Sequence, residues 1–143
     1  MAVDPKLELT RGALALQAVL GPAGFIFAIQ SEGSSSGGPY CAGTFTRDDR
    51  RLELHVRGSL GLVTYSIGSE TISHEDYVRT LGARGEYPGF SQHIEEAFIH
   101  LRSDLESVGT IFLTGSDLEF LNLIRLSREN PQQKGFRALG EPK

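Results

Sequence analysis

Three segments between Phe25 and Ile67 alternate apolar and polar residues in one shared register, and that register fixes a sheet. In Arg51-Leu-Glu-Leu-His-Val-Arg57 the residues Leu52, Leu54 and Val56 fall on one face, and Glu53, His55 and Arg57 on the other. A period of two is the mark of a strand with one face buried, because successive side chains of an extended chain point to opposite sides.

The neighbouring segments fit the same sheet. Phe25–Gln30 alternates with Phe25, Phe27 and Ile29 on one face. Ser31–Gly38, rich in Ser and Gly, reads as a mobile loop. Strands follow over Tyr40–Thr46, Arg51–Arg57 and Leu62–Ile67, with turns at Arg47–Arg50 and Gly58–Gly61. Centring one hairpin on Asp48-Asp49 pairs Phe45 with Leu52, Gly43 with Leu54 and Cys41 with Val56. Centring the next on Ser59-Leu60 pairs Val56 with Val63, Leu54 with Tyr65 and Leu52 with Ile67. A slip of one residue would drive charge into the core. The expected fold is therefore α+β: a four-stranded antiparallel meander covered on one face by helices, in the order α-β-β-β-β-α-α-(β)-α.

The covering helices carry their own signals. The first ends near Leu20 at Gly21-Pro22, starts at Asp4-Pro5 or Thr10, and is weakened by Gly12. Its apolar residues at helical spacing include Leu14, Ala18 and Val19. Ser73-His-Glu-Asp76 resembles a capping box and opens a helix to about Leu81. After Ser91, Ile94, Ala97, Phe98, Leu101, Leu105 and Val108 form one apolar stripe. Thr110–Thr114 reads as a short strand or extended connector. Ser116-x-x-Glu119 caps a last helix whose apolar side is Leu118, Leu121 and Ile124, with Leu123 at its margin. Residues 1–130 make one domain, and 131–143 a loose polar tail.

Composition narrows the function classes. A chain of 143 residues can bury a core without disulfide or metal staples. Its net charge of -4 disfavours nucleic acid, whose phosphates call for a basic excess. The first residues lack the basic-then-apolar pattern of a signal peptide, and no apolar run approaches membrane-span length, so no membrane is expected. One cysteine, Cys41, fits a reducing, cytoplasmic setting.

No motif specifies a reaction, a catalytic residue or a cofactor. His93, Glu96, His100 and Asp104 share a helical band with metal-ligand chemistry, but the band reads better as a polar flank, so no metal is assigned. Cys41 is aimed into the core rather than at a substrate. The serines before Gly37-Gly38 lack the lysine and following helix of a phosphate loop. Two surfaces remain. The outer sheet face collects Tyr40, Ala42, Glu53, His55, Arg57, Thr64 and Ser66, with His55 between Ala42 and Thr64 and Tyr40 opposite Arg57. The Gly85–Phe90 loop offers Tyr87 and Phe90 as aromatic anchors beside Glu86 if they are exposed, and as pins of the loop on the core if they are buried. The expectation is a cytoplasmic protein-interaction module that neutralises or scaffolds a partner, often a basic one given the acidic chain, with self-association left open. The alternative is a small metal-dependent or ligand-binding enzyme using surface histidines.

Overall fold

The computed structural model describes residues 4–35, 38–87 and 93–129. It opens with helix α1 (Pro5–Leu20), whose first turn is capped by Asp4: the carboxylate accepts from the amides of Lys6 and Leu7 at 3.1 and 3.4 Å. The buried side of α1 is Leu9, Ala13, Leu16 and Leu20, a four-three-four spacing. Leu14, by contrast, is 71% exposed, and Ala18 is exposed too, so the apolar stripe is rotated from the one expected. Gly12 is no weak point. A Cβ there would lie 2.3 Å from the Phe98 ring, so its absence lets α1 and the helix bearing Phe98 close together.

The sheet is antiparallel and five-stranded, in the order β1 (Ile26–Ser35), β2 (Gly38–Arg47), β3 (Arg50–Val56), β4 (Thr64–Ile67) and β5 (Glu70–Ser73). The β2–β3 register is the expected one, with Cys41 opposite Val56, Gly43 opposite Leu54 and Phe45 opposite Leu52. Its two-residue turn places Asp48 at φ +54, a conformation Asp tolerates better than most residues.

Three expectations about the sheet are corrected. First, Ser31–Ser35 is strand, not mobile loop: the β1–β2 ladder runs on to Ser35 opposite Gly38, after an irregularity between Ile29 and Ser31. Second, β3 and β4 pair two residues away from the expected register, with Leu52 opposite Tyr65 and Arg50 opposite Ile67. An even shift keeps every side chain on its face, so alternation cannot detect it. The chain makes the shift at a tight turn: Gly58 takes φ +75, and Leu60 bridges back to Val56 and is buried. Third, Glu70–Ser73 adds a fifth strand, a four-residue element too short for its period to stand out.

Four helices complete the cover: α2 (His74–Thr80), α3 (Ile94–Val108), α4 (Thr110–Thr114) and α5 (Asp117–Glu129). Ser73 caps α2 by accepting from the Asp76 amide at 3.1 Å. Ser116 and Glu119 form the expected reciprocal box, with each backbone amide donating to the other's side chain at 2.9 and 3.1 Å. Thr110–Thr114 is helical, not extended. Its carbonyls at Ile111 and Phe112 accept from the Arg50 guanidinium at 3.2 and 2.8 Å, an arrangement a helix end supplies and a strand does not. The same guanidinium reaches Asp117 at 2.9 Å, joining α4 to the start of α5. In α5 the buried residues are Phe120, Leu123, Ile124 and Ser127, while Leu118 and Leu121 face outward.

The core lies between the inner sheet face and these helices. Phe25, Phe45, Leu54, Tyr65 and Ile72 meet Leu16, Phe98, Leu101, Phe112 and Phe120. Among the described residues no helix is long and apolar enough to cross a membrane.

Candidate functional site

Helices cover one face of the sheet, and strand alternation sets the other apart. Ala42 of β2 floors an open concavity of about 690 Å³, which Gly43 and Leu54, members of the inward-facing set, border from beneath. Its walls are Gln30, Thr44, Thr46, Arg51, Glu53, His55, Leu62 and Thr64. Thr44 is nearly buried, and its hydroxyl oxygen accepts from the Gln30 amide at 3.1 Å. Arg51 and Glu53 pair along β3 at 3.3 Å, both still half-exposed. Leu62 stands at the rim, 67% exposed.

The sequence brought Tyr40, His55 and Arg57 to this face, and they meet there. The Tyr40 and His55 rings stack at 5.5 Å and 14°. The Arg57 guanidinium lies 5.7 Å from the centre of the Tyr40 ring. The result is a cationic and aromatic ledge beside the concavity. Glu53 is its nearby counter-charge on β3, already engaged with Arg51.

Two members of the expected face sit differently. Thr64 pairs with Glu53 rather than with His55, a consequence of the two-residue shift, yet both line the same concavity. Ser66 is fully buried between its cross-strand partners Arg51 and Thr71, and its hydroxyl has no hydrogen-bond partner among the described residues. Arg51, Thr44 and Gln30 were legible from the same alternation, since they share the parity of Glu53, Ala42 and Ala28 on their strands.

A second polar constellation is internal. The Tyr65 hydroxyl lies 2.6 Å from His74 Nδ1, and His74 Nε2 lies 2.8 Å from Asp104 Oδ2. Asp104 also accepts from the amides of Glu86 at 2.7 Å and Tyr87 at 3.0 Å. A Cβ on Gly85 would lie 2.9 Å from Asp104 Oδ2, so glycine there lets the chain wrap the carboxylate. Burial pushes the Asp104 carboxyl up, but the hydrogen bonds from His74, Glu86 and Tyr87 outweigh it and hold the group below its usual value. Burial drives the Tyr65 phenol well above its ordinary value, so it keeps its proton and needs an acceptor. His74 Nδ1 is that acceptor, which leaves Nε2–H to donate to Asp104. Both ring nitrogens are thus committed within the protein.

The remaining candidates are placed by this network. Tyr87 is 5% exposed, and its hydroxyl donates to the carbonyls of Leu60 and Gly61 at 2.8 and 2.5 Å. It therefore pins the β3–β4 loop to the core and is not the exposed anchor expected of it. Glu86 is exposed, and its carboxylate accepts from Ser103 at 3.1 Å. Phe90 lies outside the described residues. Asp104 leaves the His93, Glu96 and His100 band by turning into the interior, and no group of three His, Cys, Asp or Glu among the described residues is placed to hold a metal ion. Cys41 is buried opposite Val56, and burial raises its thiol further from the reactive thiolate.

His74 and Tyr65 escaped sequence reading because their role depends on contacts 9 and 30 residues away. No short motif encodes such spacing. Neither a known protein family, nor a curated protein, nor a solved structure matches this chain.

Proposed function

We propose that this chain is a cytoplasmic protein-interaction module whose partner docks on the outer face of the sheet. The observation that carries the reading is the one-sided cover: the described helices share their core with the inner face of the sheet, while the other face holds a concavity of about 690 Å³ beside the Tyr40–His55–Arg57 ledge. Aromatic and arginine side chains are where interface energy concentrates, and threonine and glutamine around them supply hydrogen bonds at the rim. The local charge also selects. With Glu53 engaged by Arg51, Arg57 carries the uncompensated charge of the ledge among the described residues, so the segment that docks there is acidic, although the chain as a whole carries a net charge of -4.

The enzyme alternative has one observation behind it, the Tyr65–His74–Asp104 alignment. It is the weaker reading, because a general base needs a ring nitrogen free for substrate and His74 has none.

The test is site-specific photo-crosslinking in the cells of origin. A photoreactive residue at Ala42, in the concavity, should trap a discrete partner; one at Ile99, 60% exposed on α3, should not. Trapping from Ile99 but not from Ala42 contradicts the proposal.

A further inference from the structure

The two edges of the sheet are finished differently. β5 has four residues, and its Glu70 accepts from Arg128 of α5 at 2.6 Å. β1 has ten residues and forms the opposite edge. Helix α1 packs chiefly on β2 and β3, so the inward-facing Phe27 and Ile29 of β1 stay only half-buried. On the other face Ile26 is 73% exposed. Exposed edges are ordinarily blunted by charge, proline or a bulge, because their free amides and carbonyls invite another strand. Between Ile26 and Ile29 β1 has none of these; its irregularity comes only between Ile29 and Ser31.

We propose that a second copy of the chain pairs with this edge, β1 antiparallel to β1, about a two-fold axis at Ala28. The two five-stranded sheets then become one. This register sets Phe27 against the partner's Ile29 on the inner face, so each completes the other's core margin. On the outer face it sets Ile26 against the partner's Gln30. Beyond the bulge, the partner's Glu32 comes to the edge beside the buried Phe25, where the Arg47 guanidinium sits 4.7 Å from the ring centre; its Nη1 donates to the carbonyls of Ala23 and Leu113, and no carboxylate among the described residues pairs with it. Glu32 is the only charged residue of β1, and its present partner is Lys6 at 3.5 Å, an exposed pair of little energetic weight. The two-fold axis makes this charge match twice, which is the argument for a second copy rather than an unrelated strand.

Sedimentation and crosslinking test this directly. The wild type should sediment at twice the chain mass of 15.6 kDa at raised concentration. Ala28→Cys should form an interchain disulfide on oxidation, because directly opposed residues of an antiparallel pair lie about 4.5–5.5 Å apart at Cα, inside the roughly 4.4–6.8 Å that a disulfide spans. Cys41 is buried and does not compete. Ala28→Arg places like charges across the axis and should sediment as a monomer with an unchanged circular dichroism spectrum; Ala28 is exposed, so the fold has room for it. A wild type that stays at the single-chain mass overturns the proposal. So does a dimer that persists in Ala28→Arg while Ala28→Cys fails to crosslink.

Discussion

His74 Nε2 donates to Asp104 Oδ2 across 2.8 Å, and this one contact ties the first residue of α2 to the middle of α3. Both side chains are almost fully buried. The amides of Glu86 and Tyr87 converge on the same carboxylate, so the chain leading toward α3 is fastened at the same point. In a low-dielectric interior such a network stabilises only while every member is satisfied, and losing one strands the others.

Asp104→Asn should therefore cost on the order of 3 kcal/mol at neutral pH, since it removes a buried charged acceptor of three hydrogen bonds. The pH dependence has a definite sign. The folded carboxyl lies below its ordinary value of 3.8, so the native state binds fewer protons than the unfolded state in that range. The stabilisation is complete above 3.8 and is lost as pH falls through the folded value. Urea unfolding of both proteins across pH should show the wild-type advantage shrinking below about pH 4. A gap that stays constant down to acid unfolding would contradict this.

Gly12→Ala separates helix propensity from packing. Propensity alone favours Ala by about 1 kcal/mol in a helix interior. The added Cβ, however, would sit 2.3 Å from the Phe98 ring, so α1 and α3 must move apart. Overpacking of this kind costs about 1–3 kcal/mol, and the net change should be destabilising. Calorimetry showing a raised melting temperature would place α1 farther from α3 than described.

Leu54→Ala should lose about 2–5 kcal/mol in denaturant unfolding, the range for a truncated buried leucine; Leu54 is 1% exposed. Leu62→Ala, at a 67% exposed position, should change stability by less than about 0.5 kcal/mol. Equal losses at the two positions would mean that the core residue Leu54 and the rim residue Leu62 are not distinguished as described.

The sheet was legible where its signal was local. Alternation through Leu52, Leu54 and Val56 and the Asp48-Asp49 turn give the β2–β3 ladder residue for residue. The β3–β4 ladder is shifted by two because alternation is blind to even shifts, and what decides between them is the buried turn of Leu60, held by Tyr87 from 27 residues away. In α1 the chain offers more apolar residues than one face can bury, so sequence alone does not choose between Leu14 and Leu16. The Ser31–Ser35 segment has a loop's composition, but its backbone pairs with β2 all the same. For the candidate site, face parity brought Tyr40, His55 and Arg57 together; Tyr87 was not placed by sequence because an aromatic between Glu86 and Pro88 in a Gly-rich loop serves equally as an anchor outward or inward.

The most direct test of the account is the affinity of the partner trapped at Ala42, measured by isothermal titration for the wild type and for a His55→Ala, Arg57→Glu double variant. Both side chains are exposed, so the melting temperature should be unchanged. The account predicts a loss of affinity of at least tenfold, about 1.4 kcal/mol, from removing the stacked ring and reversing the ledge's charge. An affinity equal to that of the wild type would contradict the claim that the outer face of the sheet is where this protein binds.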